Sequence, residues 1–277
     1  MGHILIDTNA AYDRDHPIRI VLWFMLPYIQ LRALQLGPVR LHPFGILMTV
    51  GILTGVWMLR ARATKRGLDT EIALGFGLAV VFCGLVGSHL LRLLFFEWSL
   101  LQREPSLLFD FNRGGIYSFG GLFTGLAGGW LYFRRSKLGA VKSWPYFDLL
   151  GFVFPFAWIF GRAGCSIVHD HPGIRAYNWL SVNYPGGPRY DLGLIEFLFM
   201  VPVIASFLWL DRRARPAGFY LGVFLALYGP FRFLLDGLHE PGVPRFILTP
   251  DQAFGLLATV AGTLTLAKVL RRPEPAH

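Results

Sequence analysis

Apolar runs long enough to cross a bilayer, separated by short polar connections, set the pattern of this chain from about residue 41 to residue 272. A helix needs about 20 mainly apolar residues to traverse hydrocarbon, and seven stretches approach that length. They are Phe44–Leu59 extended to its polar flanks, Ile72–Phe96, Ile116–Phe133, Tyr146–Val168, Leu192–Leu210, Ala217–Leu235 and Asp251–Leu270. Ahead of them, residues 1–17 are polar and mixed in charge, without the basic-then-apolar order of a cleavable signal peptide. Ile18–Leu31 is apolar over only fourteen residues and is interrupted by Pro27, which predicts an interfacial or re-entrant segment. The expected fold is all-α: one polytopic domain, with residues 1–40 an outer or interfacial segment and 41–272 a seven-helix body.

Charge gives that body an expected orientation. Arg60, Arg62, Lys65 and Arg66 follow the first span, and Arg134, Arg135, Lys137 and Lys142 follow the third. Arg212, Arg213 and Arg215 follow the fifth, and Arg271 and Arg272 the seventh. By the positive-inside rule these ends and the C-terminus are cytoplasmic. The N-terminus and the loops after spans two, four and six are then outside.

Composition agrees with this class. Hydrophobic residues make up 54% of the chain and charged residues 16%, proportions that exclude an ordinary soluble domain. The net charge of +9 sits mainly between apolar segments, so it points to anionic lipid and not to nucleic acid. Two cysteines, Cys83 inside an apolar run and Cys165, make no disulfide framework.

Candidate chemistry gathers in Phe160-Gly161-Arg162-Ala163-Gly164-Cys165-Ser166-Ile167-Val168-His169-Asp170-His171-Pro172-Gly173. An unpaired guanidinium deep in a membrane costs roughly 2.5–3.5 kcal/mol even on the lenient insertion scale, so Arg162 is expected to face a cavity or a polar ligand. Gly161 and Gly164 leave room for another backbone or a headgroup to approach. Most other ionisable groups of the spans fall in the outer half or the outer loops: His42, His89, Arg92, Glu196, Arg232, Asp236 and His239. Arg232 and Asp236 are four apart and can pair on one helical face. Two guanidiniums, Arg162 and Arg232, suit a phospholipid phosphate, whose oxygens a planar fork can hold bidentately.

Cys165, His169, Asp170 and His171 leave three readings open. They could form a loop that caps the helix and turns the chain, an acid–base or thiolate–imidazole centre, or part of a zinc site. The zinc reading lacks an adjacent fourth ligand, His239 or Asp191 being the distant candidates. No resident metal or cofactor is therefore assigned.

The order of motifs resembles the bacterial prolipoprotein diacylglyceryl transferases. The matching pieces are Leu41-His42-Pro43-Phe44-Gly45, Gly114-Gly115 with Gly120-Gly121, Gly161-Arg162-Ala163-Gly164, Glu196, Tyr228-Gly229-Pro230-Phe231-Arg232 with Asp236, and Asp251-Gln252. The resemblance implies transfer of diacylglyceryl from phosphatidylglycerol to a prolipoprotein cysteine at the outer leaflet of the bacterial inner membrane. It also marks departures: Phe44 stands where that family has tyrosine, Phe119 where it has histidine and Cys165 where it has asparagine. His89 stands in the place of a second-span arginine.

The expected functional residues follow from both lines. Arg162, Gly164, Arg232, Asp236, Glu196, His89 and His239 would bind substrate, while His169, Asp170, His171 and Cys165 would carry the chemistry. His169 or His171, supported by Asp170, would serve as the base that Phe119 cannot be. The expected partners are an anionic phospholipid and a prolipoprotein or another thiol, amine or hydroxyl acceptor. The competing reading is a rewritten paralogue, either a lipid-binding protein or a His/Asp-dependent, metal-assisted lipid-modifying enzyme.

Overall fold

The computed structural model describes residues 25–31, 33–36, 39–110, 117–136, 139–240 and 247–271. The Gly114-Gly115 pair, the side chain of Phe119 and the first part of Ile18–Leu31 lie outside that description. Eight α-helices lie within it: α1 (Pro43–Lys65), α2 (Thr70–Phe96), α3 (Trp98–Arg103), α4 (Ser118–Arg135), α5 (Gly139–Val168), α6 (Leu192–Leu210), α7 (Phe219–Asp236) and α8 (Pro250–Leu270). A 3₁₀ turn, Pro105–Phe109, follows α3.

Among the described residues, six helices are long and apolar enough to cross a membrane: α1, α2, α5 from Lys142, α6, α7 and α8. The chain is thus a multi-pass helical membrane protein. Helix α4, read from the sequence as the third span, is 18 residues long and diluted by glycines and by Arg134-Arg135 at its end. The outward faces of the helices are apolar in keeping with a lipid environment: Trp57, Leu78, Phe82, Trp209 and Leu264 are all exposed.

Two compact units divide the chain. The first takes the residues up to Leu53, Pro155–Leu210 and Leu235–Pro241; the second takes Thr54–Phe154, Asp211–Leu234 and the C-terminal helix.

In the first unit, the loop His169–Asp191 folds into a small antiparallel sheet. Its strands β3 (Pro172–Arg175), β4 (Ser181–Tyr184) and β5 (Gly187–Asp191) lie in the order β3-β5-β4. Both outer edges are covered, which removes their unpaired backbone groups. Leu26 N–H donates to Ser181 O (2.9 Å) and its carbonyl accepts from Asn183 N–H (3.0 Å); Ile174 N–H donates to Leu238 O (2.8 Å). The Leu26–Leu31 stretch is thus non-helical and bonded to the sheet; Gln30 also donates to Val168 O. A second hairpin pairs β1 (Leu34–Leu36) with β2 (Val39–Leu41). The all-α expectation therefore holds for the membrane body but not for these connections, whose strands of three to five residues are too short to show alternation in sequence.

Helix ends follow local chemistry. α1 begins with Pro43, pre-set for a first helical position. It stops at a left-handed Gly67 (φ 63°), where Gly67 N–H bonds Thr64 O and Leu68 N–H bonds Ala63 O, closing a Schellman motif. Asp69 caps α2 through Glu71 and Ile72 N–H. Thr249 and Gln252 form a capping box at α8. α5 starts seven residues before the expected Tyr146, because hydropathy marks the apolar part of a helix and not its first polar turns.

The second unit is built on close glycine packing. A Cβ on Gly87 would lie 2.1 Å from Thr124 Oγ1, and one on Gly84 would lie 3.1 Å from Gly121 O, so α2 and α4 approach backbone to backbone. Gly229 does the same between α7 and α8, where a Cβ would meet Gly255 O at 2.6 Å. Arg62, read from the sequence only as one of the basic residues that follow the first span, is buried. It holds Asp211 through two bonds (3.0 and 2.6 Å) with its guanidinium 3.3 Å from the centre of the Phe152 ring.

Candidate functional site

The first unit brings a guanidinium, a carboxylate and an indole together. Trp158, Arg162 and Cys165 recur at helical spacing on α5, and Glu196 enters from the second turn of α6. Arg162 Nη1 lies 3.4 Å from Glu196 Oε2, while Trp158 Nε1–H donates to Glu196 Oε1 at 2.7 Å. The guanidinium carbon sits 4.6 Å from the Trp158 ring centre. Arg162 and Glu196 are both buried, Glu196 to 0% exposure. The partner carboxylate and the ring face help to offset the cost of holding such a charge away from water.

Gly164 does not open onto this group. A Cβ there would meet Phe44 at 3.0–3.2 Å, so its lack of a side chain serves the packing of α1 on α5. Cys165 is 2% exposed and lies against Gly193 of α6.

Beyond the last turn of α5 the two histidines part. His169 takes a left-handed conformation (φ 54°), its N–H bonding Cys165 O, so it ends the helix. Its ring stacks on Tyr28 with centroids 4.4 Å apart, and its Nδ1 lies 2.5 Å from Asp191 Oδ2. Asp191, fully buried, also accepts from Tyr184 O–H (2.9 Å) and caps α6 through Leu194 N–H (2.9 Å). Burial and the neighbouring Asp191 charge raise the Tyr28 and Tyr184 phenols, which therefore remain donors at any neutral pH.

His171 turns the other way. Its Nδ1 is 2.5 Å from Asp170 Oδ1, and the two side chains are 25% and 41% exposed. Burial would raise the Asp170 carboxyl. The His171 hydrogen bond and charge, the Arg162 charge and the Cys165 hydrogen bond outweigh it and hold the group below its usual range. Asp170 thus partners His171, and Asp191 partners His169. The sequence named Asp191 only as a distant candidate zinc ligand and not as the partner of His169, because their 22-residue separation is bridged only by the sheet.

Also in the first unit, Asp236 Oδ1 lies 3.3 Å from His239 Nδ1, and His239 bridges to Gly173 of β3. In the second unit, the carboxylate bonded to Arg232 is Asp251, at the start of α8; Tyr117 O–H donates to its other oxygen at 2.7 Å. The sequence offered Asp236 as a partner of Arg232 by spacing; Asp251 reaches Arg232 from another helix, a partner that spacing does not indicate. His89 is buried with Nε2 3.0 Å from Leu107 O, tying α2 to the 3₁₀ turn.

Buried guanidinium–carboxylate groups on membrane helices, with a partly exposed carboxylate–imidazole pair at one helix end, define a polytopic membrane protein that holds ionisable groups at membrane depth. Comparison with known proteins makes this specific. The family model described as prolipoprotein diacylglyceryl transferase matches residues 32–268. The phosphatidylglycerol–prolipoprotein diacylglyceryl transferase of Chromohalobacter salexigens is 33% identical over 260 residues, 89% of each chain. That of Pseudomonas paraeruginosa is 32% identical, covering 90% of this chain and 91% of its own. That of Symbiobacterium thermophilum is 26% identical, covering 90% and 96%. The chain belongs to the prolipoprotein diacylglyceryl transferase family.

Proposed function

We propose that this protein transfers the diacylglyceryl group of phosphatidylglycerol to the cysteine thiol of a prolipoprotein, at the outer leaflet of the bacterial inner membrane. The match to its family over nearly the whole chain carries this reading. Seven crossings, with α4 the third, put the N-terminus outside and the C-terminus in the cytoplasm, in keeping with the basic clusters.

In the reaction the acceptor sulfur attacks the glycerol carbon that bears the phosphate ester. A C–S bond forms, the C–O bond breaks, and glycerol phosphate leaves. Arg162, positioned by Glu196 and the Trp158 face, is suited to hold the phosphate and to stabilise the charge that grows on its bridging oxygen. Arg232, held by Asp251, offers a second guanidinium of the same chemistry. Asp236 and His239 are read as polar groups toward the headgroup.

The acceptor thiol must lose a proton. Of the two histidines that follow α5, His171 is the one with an accessible face, and Asp170 fixes its orientation. Cys165, buried beneath them, is not needed as a nucleophile. His169, enclosed by Tyr28 and Asp191, is assigned to structure.

Transfer is tested with labelled phosphatidylglycerol and a prolipoprotein peptide. Arg162→Lys keeps the charge but loses the planar fork, and should slow turnover roughly a hundredfold, about 2.7 kcal/mol. Wild-type activity in Arg162→Lys and Arg162→Ala together would remove the phosphate role. Lipid binding without any transfer by the wild type would favour the lipid-binding reading instead.

A further inference from the structure

We propose that Cys165, Asp170 and His171 form a binding site for a single thiophilic divalent cation such as zinc. One sulfur, one carboxylate oxygen and one imidazole nitrogen lie within 4.8 Å of one another. Zinc bonds of about 2.0–2.3 Å in a tetrahedron place ligand atoms roughly 3.3–3.8 Å apart. The three side chains therefore straddle that geometry. The Asp170–His171 pair at 2.5 Å must open by about 1 Å to admit an ion, while Cys165 already hydrogen-bonds Asp170.

That movement is available where it is needed. Asp170 and His171 are partly exposed, at 41% and 25%, and sit beyond the end of α5, so an ion meets them first. The Cys165 thiol forms the floor, fixed between α5 and α6 by the close approach of Gly193.

The donor set selects the ion. A thiolate with an imidazole and a carboxylate suits zinc and its neighbours, whereas calcium and magnesium prefer oxygen throughout. Three protein ligands leave the fourth position for water, the open arrangement of an accessible zinc site. Thiolate and carboxylate together offset both charges of the ion. The Arg162 charge nearby is balanced by Glu196 at 3.4 Å. His169 is excluded from the set because Asp191 and the Tyr28 ring occupy it.

Occupancy would also withdraw Asp170 and His171 from proton transfer, so zinc should inhibit the enzyme reversibly. This consequence, unlike binding itself, rests on the function proposed above.

The test is a cobalt titration of the purified full-length protein in detergent. One equivalent of Co²⁺ should produce a thiolate-to-cobalt charge-transfer band that one equivalent of Zn²⁺ bleaches. The band should vanish in Cys165→Ser, persist in Cys83→Ser, and weaken in Asp170→Asn and His171→Ala, whose exposed side chains leave the helix packing intact. No thiolate band in the wild type, or a band that survives Cys165→Ser, overturns the site. In the transfer assay, inhibition by Zn²⁺ that a chelator reverses is the expected companion. A cobalt band without inhibition supports the site and overturns the role of His171 as base. Full transfer activity with no band removes the site and leaves the function standing.

Discussion

Single residues divide the labour at the end of α5. His169 and His171 are two apart in sequence, yet one ring is enclosed and the other reaches solvent. His171→Ala should therefore reduce transfer by roughly 10²–10⁴-fold, the range of a lost general base, while the melting temperature stays close to wild type. His169→Ala should do the reverse, lowering stability by about 2 kcal/mol through the buried Asp191 bond, with turnover per folded molecule largely kept. Thermal melts run beside the transfer assay distinguish them, and a swapped result would assign the base to His169. The sequence could not make this division, because Tyr28, Tyr184 and Asp191 are brought to His169 by the sheet and not by spacing. Arg162 was legible for the opposite reason: a cation at the end of an apolar run is conspicuous wherever its partner lies.

A further residue-scale expectation concerns acid. Partial burial would raise the Asp211 carboxyl, but the Arg62 hydrogen bonds and charge outweigh it and hold the group below its usual range. A depressed folded-state pKa stabilises the protein above the unfolded value and is lost as pH falls through the folded one. Asp211→Asn should accordingly cost about 2 kcal/mol at neutral pH. The gap to wild type should close only as pH drops below the ordinary carboxylate value of 3.8. Denaturation midpoints measured from neutral pH into acid test this, and a gap that stays constant would mean that the charge on Asp211 contributes nothing.

Among the elements, helix positions were readable from hydropathy and their partners were not. The apolar runs place α2 and α6 within about two residues of the structure, since caps such as Asp69 and Asp191 sit at the polarity change. What an apolar run does not encode is which helix lies beside it. In lipid every face is equally apolar, and only small residues mark a seam. Gly87 is such a mark: a larger side chain there must displace Thr124. Gly87→Val should separate α2 from α4 and destabilise the protein by about 1–3 kcal/mol or more. Gly45→Ala, where a Cβ meets nothing within 4 Å, should be neutral. Equal melting temperatures for the two variants would contradict the packing.

For the whole molecule, the alternating basic clusters make an orientation that can be read out directly. A reporter after Leu270 should lie in the cytoplasm, and one inserted at the Gly186-Gly187 turn between β4 and β5 should lie outside. Reporters on one side together would overturn the seven-crossing arrangement. That arrangement turns on α4, and the glycine seam carries a consequence for how the chain is made. With its glycines and terminal arginines, α4 is the poorest of the long helices at entering lipid alone. Its neighbour α2, which leaves the ribosome first, presents a ready surface of matching shape. Membrane entry of α4 should therefore depend on α2 still being close by, as a template and not merely as a predecessor. Synthesis of α4 behind an unrelated apolar helix should leave it stranded on one side of the membrane.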